Sequence, residues 1–546
     1  MFARTKKSGK YEYLQIVENR REGPKVNQQV IATLGRLDQM HAKGEVETLV
    51  RSLARFSEQA LLVLSGRSDI SAESTRIGPA LIFERLWKEL GIPKVLQGLL
   101  SERFFTFDVE RALFLTVLHR LMVSGSDRFC DRWRRDYFVK GADEIELHHL
   151  YRAMAFLGEE IDDQESANPF TPRCTKDVIE ERLFTLNRHL FSGLDLVFFD
   201  TTSIYFEGAG GETIGERGFS KDHRPDLNQM VLGVVLDDNG RPLCCEMWPG
   251  NTTDVTTLIP VVERIRNRFN VSKFCVVADR GMISKETLRE FEKPENKVPY
   301  ILGTRMRNVL EVKRDVLSRA GNYQEVVPEG TRVKDPSPLK VEEVWVDNRR
   351  YIVCVNSKQA RKDEADRESI LASLEEQLKN GPKTLVGNRG YRRYLKFEKN
   401  SATIDREKVE QEARFDGKGV LRTNTRLSAK NVALKYKELW QVEHTFRDMK
   451  SVLQTRPVYH RLDETIRGHV FCSFLALMLK KELYRRLEDS GHCFEWAEIR
   501  QDLKALSETV IEEDGKRLAV RSQCKGACGR VFQSIGVAIP PTIRET

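Results

Sequence analysis

The stretch Tyr436–Arg456 reads YKELWQVEHTFRDMKSVLQTR and ends immediately before Pro457. It contains no Gly or Pro, and its apolar residues recur at steps of three and four, which predicts a single amphipathic helix. The apolar stripe comprises Leu439, Val442, Phe446, Met449 and Leu453. At ~100° per residue, four polar residues share a second face: Tyr436, Glu443, Arg447 and Lys450. Such a face is either a solvated surface with ion pairs or part of a functional site.

Two aspartates upstream each end an apolar run that is typical of a strand. LDLVFFD ends at Asp200, and KFCVVAD ends at Asp279. Strand ends that lie side by side in an α/β sheet collect ligands and catalytic groups. A single aspartate in this position more commonly ends a strand or caps a helix. Together with Glu443, however, the two aspartates can hold a pair of Mg²⁺ ions, which prefer oxygen ligands.

The chain resembles bacterial insertion-sequence transposases of the DDE type, in the group with the signature Y-x2-R-x3-E-x6-K. Tyr436, Glu443 and Lys450 match this spacing, and Leu439 stands where the family has Arg. Further blocks resemble the family in the family's order: LDLVFFDTTSIYF, GFSKDHRPDLNQMVLGVV, WPGNTTDVTTL, VVADRGM and RTNT. The resemblance is close over roughly residues 190–475 and looser over the first forty residues.

This resemblance implies an RNase H-like catalytic core that acts on double-stranded DNA, both transposon ends and target. It implies two Mg²⁺ ions, for which Mn²⁺ would substitute. Asp200 is expected to bridge the two ions, with Asp279 on one and Glu443 on the other. Tyr436 and Lys450 are expected to position phosphates of the transposon end.

Three more cations are predicted to contact DNA. Arg447 lies one turn after Glu443, and we expect it to replace the Arg that the family has at position 439. Lys221 and Arg224 lie in the SKDHRPD segment and are expected to contact the flanking strand. The alternative for that segment is an ordered loop held by its own aspartates.

The segment Ser124–Lys140 is rich in Arg and aromatic residues. Arg interleaved with aromatics can bind phosphates and stack on bases. The alternative is a helix with a buried aromatic face and a charged outer face. We expect burial for the aromatics and DNA contact for some of the arginines.

Composition bounds the remaining possibilities. The chain has 546 residues, of which 31% are charged and 40% hydrophobic, with a net charge of +8. This suits a globular protein, and the mild basic excess is compatible with nucleic acid without showing it. The ten cysteines form no repeating framework, and the start, MFARTKKSGKYEYL, lacks the apolar core that is typical of a signal peptide. The longest apolar run, Val470–Leu479, is too short to span a membrane. We therefore expect a cytoplasmic protein with no membrane partner. Since no Gly-x4-Gly-Lys-Ser/Thr motif occurs, no nucleotide cofactor is expected.

The patterns predict an α/β protein with an α-rich N-terminal region, in which a β-hairpin over residues 8–35 precedes the helices. In the core we expect three antiparallel strands, a helix, a strand, a helix and a strand, the order of an RNase H-like fold. Six regions are predicted: a β-hairpin region (1–40), a helical, DNA-binding region (41–189), the first part of the core (190–310), a mainly β insertion subdomain (311–418), the second part of the core with the Glu443 helix (419–465), and a helical C-terminal region (466–546).

The expected function is that of a transposase. It would bind the terminal inverted repeats of an insertion sequence, cleave at the ends and join the 3′-OH ends to target DNA, as a homodimer in a synaptic complex. An RNase H-like nuclease that cuts without joining would share the same acids. A transposase-derived DNA-binding protein without catalysis is the third possibility, and the presence of all three acids argues against it.

Overall fold

A computed structural model describes residues 2–22, 25–54, 71–165, 167, 171–191, 195–271, 273–294, 297–326, 339–379, 394–398, 401–513 and 516–545. The chain forms two compact units. The smaller consists of Met1–Ile82, Trp133–Lys140 and Leu487–Thr546, and the larger of Phe83–Arg132 and Gly141–Arg486. Among the described helices, none is long and apolar enough to cross a membrane. All ten cysteines are free thiols.

The smaller unit begins with an antiparallel sheet of three strands, Phe2–Ser8, Tyr11–Glu22 and Lys25–Arg36. The predicted hairpin is confirmed, because the second strand pairs with the third. Its turn, at residues 23–24, lies outside the described residues. Two helices follow, Leu37–Ala42 and Glu45–Ala54.

A second sheet of the smaller unit joins residues from both ends of the chain. Its strands, in spatial order, are Ile543–Glu545, Lys516–Arg521, Ser507–Glu513 and Ser71–Arg76. Two helices and a 3₁₀ turn belong to the same unit: Trp496–Ala505, Cys528–Ile535 and Arg134–Asp136. The region 466–546, predicted to be helical, therefore contains strands as well as helices. Ser507–Glu513 pairs with Lys516–Arg521 on one side and with Ser71–Arg76 on the other, and the second of these partners is so remote in sequence that it leaves no local pattern.

In the larger unit, the described residues that precede the sheet in the chain are mainly helical. The helices are Gly78–Glu89, which begins in the smaller unit, Ile92–Leu100, Val109–Met122, Asp127–Trp133, Leu147–Gly158 and Thr175–Leu186, followed by the 3₁₀ turn Arg188–Phe191. In the Arg-rich segment the aromatic expectation holds in part, since Trp133 and Tyr137 are buried whereas Phe129 and Phe138 are exposed.

A nine-stranded mixed sheet forms the centre of the larger unit. In chain order the strands are β1 (Leu196–Tyr205), β2 (Gln229–Asp237), β3 (Pro242–Pro249), β4 (Cys275–Ala278), β5 (Tyr300–Gly303), β6 (Gln324–Val326), β7 (Leu339–Val346), β8 (Arg349–Asn356) and β9 (Lys418–Thr423). Their spatial order is β6-β7-β8-β9-β5-β4-β1-β2-β3. The first three are antiparallel, and β4 runs parallel to both β1 and β5.

Helix α1 (Asp254–Phe269) lies between β3 and β4 in the chain, and α2 (Lys285–Phe291) lies between β4 and β5. This is the order of elements predicted for the core, and the mixed α/β class is confirmed. A hydrophobic cluster joins these strands to α1 and to the helix Thr175–Leu186.

Strands β6 to β8 come from the region expected to form an insertion subdomain. They continue the core sheet, because β8 pairs with β9 along its length. The other described residues of this region are mainly helical. They form α3 (Ser357–Lys379), the helix Arg406–Ala413, the π-turn Val312–Val316, the short helix Leu317–Arg319 and a hairpin of Leu395–Glu398 with Ser401–Ile404.

Buried ion pairs also tie the sheet to its helices. The cluster contains three cations and three acids, each with a side chain at most 5% exposed: Lys176, Arg264, Arg268, Asp177, Glu180 and Glu246. Arg268 Nη1 lies 3.2 Å from Asp177 and 2.9 Å from Glu246. Burial opposes ionisation of Asp177, but the surrounding cations outweigh it and hold its pKa below the usual value. The charges of this cluster are matched.

The stretch expected to form one helix is divided. Tyr436 lies in α4 (Ala429–Lys437), and Glu443 lies in α5 (Trp440–Arg447), which continues as a π-turn from Asp448 to Val452. A long helix, α6 (Asp463–Asp489), follows. The prediction of a single helical face was therefore wrong. At the break, the Gln441 N–H donates to the Glu438 carbonyl at a spacing of three residues, which tightens the chain locally.

Candidate active site

Parallel pairing of β1 and β4 brings Asp200 and Asp279 side by side. The register places Phe199 opposite Ala278, and the two aspartates directly follow these residues. Asp279 lies just past the end of β4, as predicted. Asp200 lies in the middle of β1, not at its end, because β1 continues to pair with β2 as far as Tyr205.

The Asp200 carboxyl is surrounded by other charged groups. Burial raises its pKa to about 6, against the lowering effect of the Lys221 ammonium and the Thr201 N–H, and Asp279 and Asp254 raise it further. The Thr201 N–H donates to Asp200 Oδ1 over 2.7 Å. Carboxylates that are desolvated close to one another favour a cation between them. The residues present therefore fit a divalent metal ion with oxygen ligands.

Asp254, the first residue of α1, is an acid of this site that sequence reasoning missed. Its Oδ1 accepts a hydrogen bond from Thr201 Oγ1 over 2.6 Å, and its Oδ2 lies 3.0 Å from Lys221 Nζ. Lys221 Nζ also donates to the Thr201 carbonyl over 2.7 Å. The only signal in the sequence was the WPGNTTDVTTL block, in which Asp254 resembles an ordinary helix-capping residue.

Tyr436 reaches the same acids from α4. Its hydroxyl donates to Asp279 Oδ1 over 2.9 Å. The ring fits because β5 ends in Gly303, where a Cβ atom would lie 2.3 Å from Tyr436 Oη. Burial, and then the Asp279 charge, raise the pKa of the phenol well above its ordinary value. Tyr436 therefore stays protonated and orients Asp279.

Lys450 points to the SKDHRPD segment. Its Nζ lies 2.8 Å from Asp222 Oδ1, and Arg456 Nη1 lies 2.6 Å from the same oxygen. The Asp222 side chain is 4% exposed. Arg224 pairs within the segment, 2.9 Å from Asp226. Three of the cations predicted to contact DNA, Lys450, Lys221 and Arg224, thus have carboxylate partners.

Glu443 and Arg447 are exposed on α5, which packs against β1 and β2. The apolar stripe of this stretch is buried, including Leu439, which is 7% exposed. A core residue therefore occupies the position where the family signature has Arg. The carboxylate oxygens of Asp200, Asp279 and Glu443 do not all lie within 4.8 Å of one another. Among the described residues, the three that bring their ligand atoms this close together are Asp127, His460 and His469.

Two family models match the chain. Residues 192–479 match the transposase DDE domain, a little more than half of the chain, and this range contains Asp200, Asp279 and Glu443. The chain belongs to the DDE transposase family. Residues 2–68 of this transposase match the N-terminal domain of the IS1634 family transposase. The resemblance to insertion-sequence transposases is confirmed, whereas the Y-x2-R-x3-E-x6-K signature stays a prediction. Membership implies an enzyme that cleaves and joins DNA with divalent metal ions.

Two other comparisons complete these findings. Comparison with curated proteins gave no match. Among solved structures, a cryo-EM structure of the piggyBac transposase synaptic complex with hairpin DNA is similar over 78% of this chain and 79% of that chain, with 10% identity and a TM-score of 0.34.

Proposed function

We propose that this transposase binds the terminal inverted repeats of an insertion sequence, cleaves at their ends and joins the 3′-OH ends to target DNA. The observation that supports this most is the alignment of Asp200 with Asp279 on neighbouring parallel strands, inside the range that matches the DDE domain. Glu443, on the helix that packs against β1, is the third acid. A homodimer in a synaptic complex is part of the same proposal.

Asp200, Asp279 and Glu443 would hold two Mg²⁺ ions, or Mn²⁺ in their place. Such ions, when bound, activate an oxygen nucleophile and neutralise charge on the phosphate. The chain's own residues set up this site. Tyr436 fixes the direction of Asp279, and Lys221 offsets part of the negative charge around Asp200.

The cations around the site would hold the DNA. Lys450, fixed by Asp222, would contact phosphates of the transposon end, and Lys221 and Arg224 would contact the flanking strand. Arg447 is exposed on the same helix as Glu443 and would supply the charge that Leu439 lacks. For Lys450, Lys221 and Arg224, these contacts require exchange of a carboxylate partner for a phosphate, which preserves the charge balance of each of the three.

The test uses a labelled duplex that carries the inverted repeats flanking the gene, incubated with purified protein and Mg²⁺ or Mn²⁺. Wild type is compared with Glu443→Gln, which removes the charge but keeps the shape of an exposed side chain. We expect metal-dependent nicking at the repeat boundary and joining to a target plasmid for wild type, and neither reaction for the variant.

Other outcomes would replace the proposal. Cutting without joining, by wild type only, would indicate a nuclease. Binding without cutting in either metal would indicate a DNA-binding protein that has lost catalysis.

A further inference from the structure

A cleft of about 860 Å³ lies in the larger unit, next to the segment that follows the signature lysine. Its volume is within the range of about 300–1,000 Å³ that is usual for ligand sites. Charged and aromatic residues line it: Arg128, Tyr151, Arg456, Tyr459, His460 and Arg461. The lining of this cleft includes neither the three acids nor the signature residues Tyr436 and Lys450.

The wall of the cleft includes the one group of three residues with metal-ligand spacing among those described, Asp127, His460 and His469. His460 Nε2 lies 3.3 Å from Asp127 Oδ2 and 3.2 Å from His469 Nδ1. The ligands of a tetrahedral ion with bonds of ~2.1 Å are separated by similar distances. Hydrogen bonds have similar lengths too, so the spacing alone does not decide between a metal site and a hydrogen-bonded network.

Arg120 decides against a cation. This buried guanidinium lies 2.9 Å from His469 Nδ1 and 3.4 Å from Asp127 Oδ1. The guanidinium donates to His469 Nδ1, the nitrogen that would otherwise bind a metal, and its charge already neutralises the Asp127 carboxylate. Adding a divalent ion would leave two uncompensated positive charges beside three further arginines, at a high cost in a desolvated site. The electrostatics of the cleft favour an anion.

We propose that this cleft binds the phosphate backbone of one strand of the DNA substrate, with an unpaired base stacked on Tyr459. Arg128, Arg456 and Arg461 supply the charge, and the Tyr459 side chain is available because this residue is 63% exposed. Arg with an adjacent aromatic is the combination that holds single-stranded nucleic acid. Arg456 also shares Asp222 with Lys450, so the cleft continues the path of the signature lysine. This inference rests on the proposed function.

Phosphate contact is tested through the salt dependence of DNA binding, because each neutralised phosphate contributes ~0.7–0.9 to the slope of log K against log salt. Fluorescence anisotropy with the terminal-repeat duplex is measured for wild type, Arg128→Gln, Arg461→Gln and the double variant. We expect each single change to lower the slope by about one and the double change by about two. Arg85→Gln, an exposed arginine already paired with Glu89, is the matched control and should leave the slope unchanged.

Base stacking is tested with Tyr459→Ala on a repeat duplex that has a single-stranded tail. We expect affinity for the tailed substrate to fall roughly tenfold or more and affinity for the blunt duplex to change little. Phe104→Ala, at a residue that is 92% exposed and outside the cleft, is the aromatic control.

Two results would overturn this inference: unchanged salt slopes in the arginine variants, or stoichiometric Zn²⁺ binding to wild type in calorimetry that is lost in His460→Ala. Failure of the proposed function is a separate result, because it is measured by cutting. Glu443→Gln should bind DNA with the wild-type salt slope while failing to cut. If Glu443→Gln still cuts, the catalytic assignment fails and the cleft is judged on binding alone.

Discussion

The acids around Arg268 and the acids around Asp200 belong to the same unit, but they differ in how far neighbouring cations neutralise their charge. Around Arg268, three buried acids meet three buried cations; the cations hold the pKa of Asp177 below its usual value, whereas burial raises the pKa of Glu180. Around Asp200, Asp279 and Asp254 add negative charge that the Lys221 ammonium offsets only in part, and burial raises the pKa of Asp200 to about 6.

We interpret this difference as that between a cluster that stabilises the fold and the acids of the proposed active site. Matched buried charges fix the helices on the sheet and are costly to disturb one at a time. Unmatched acids cost stability in the folded protein and persist where a ligand supplies the missing charge. The comparison predicts opposite consequences for removing one charge from each cluster.

Removing a cation from the matched cluster should have the largest effect. In Arg268→Met the remaining acids lose their principal partner, and we expect about 3–5 kcal/mol loss in the free energy of unfolding. Urea denaturation followed by fluorescence measures it. Arg85→Met, at the exposed pair with Glu89, serves as the control and should cost less than about 1 kcal/mol. If Arg268→Met and Arg85→Met lose the same free energy of unfolding, the buried cluster stabilises the fold no more than an exposed ion pair does.

Removing an acid from the unmatched cluster should stabilise the metal-free protein. The folded-state pKa of Asp200 lies above the unfolded value, so its ionisation penalises folding progressively as the pH rises through about 6. Asp200→Asn should therefore be more stable than wild type by up to about 3 kcal/mol above pH 6. Melting curves between pH 4 and 8, in the presence of a chelator, test this. The gain should shrink below pH 6 and vanish near the unfolded pKa, and a gain independent of pH would contradict the electrostatic cause.

Tyr436→Phe removes one neutral hydrogen-bond donor from the unmatched cluster and leaves its charges unchanged, so it tests the role of geometry apart from charge. A bond to a charged acceptor contributes about 1.5–3 kcal/mol, and here it holds Asp279 in direction. We expect nicking to require a Mn²⁺ concentration about tenfold higher or more. Titration of Mn²⁺ in the nicking assay measures this. A loss of thermal stability with an unchanged metal requirement would show that the hydroxyl serves the fold alone.

Arg447→Ala should have the smallest effect on stability, within about 0.5 kcal/mol, because the side chain is exposed. Its effect should be confined to DNA, with weaker binding of the transposon end in anisotropy measurements. If end binding and cleavage both stay at the wild-type level, Arg447 does not replace the Arg missing at 439.

Local patterns in the sequence predicted much of this site because they depend on short-range chemistry. The apolar stripe from Leu439 to Leu453 is buried as its periodicity indicates, and Asp279 follows its strand. The same periodicity did not reveal the break between α4 and α5. The direction of Tyr436 is fixed by Asp279 and by the space above Gly303, and neither is encoded in helical spacing.

The sequence by itself predicted the order of strands and helices in the core and the two aspartates that follow apolar runs, since backbone preference and apolar spacing act over a few residues. The tertiary structure alone decided that Asp200 lies within a strand beside Asp279, that Asp254 and Lys221 join them, and that Asp222 holds Lys450. These relations depend on strand register and desolvation. Both arise only when segments distant in the chain pack together and exclude water.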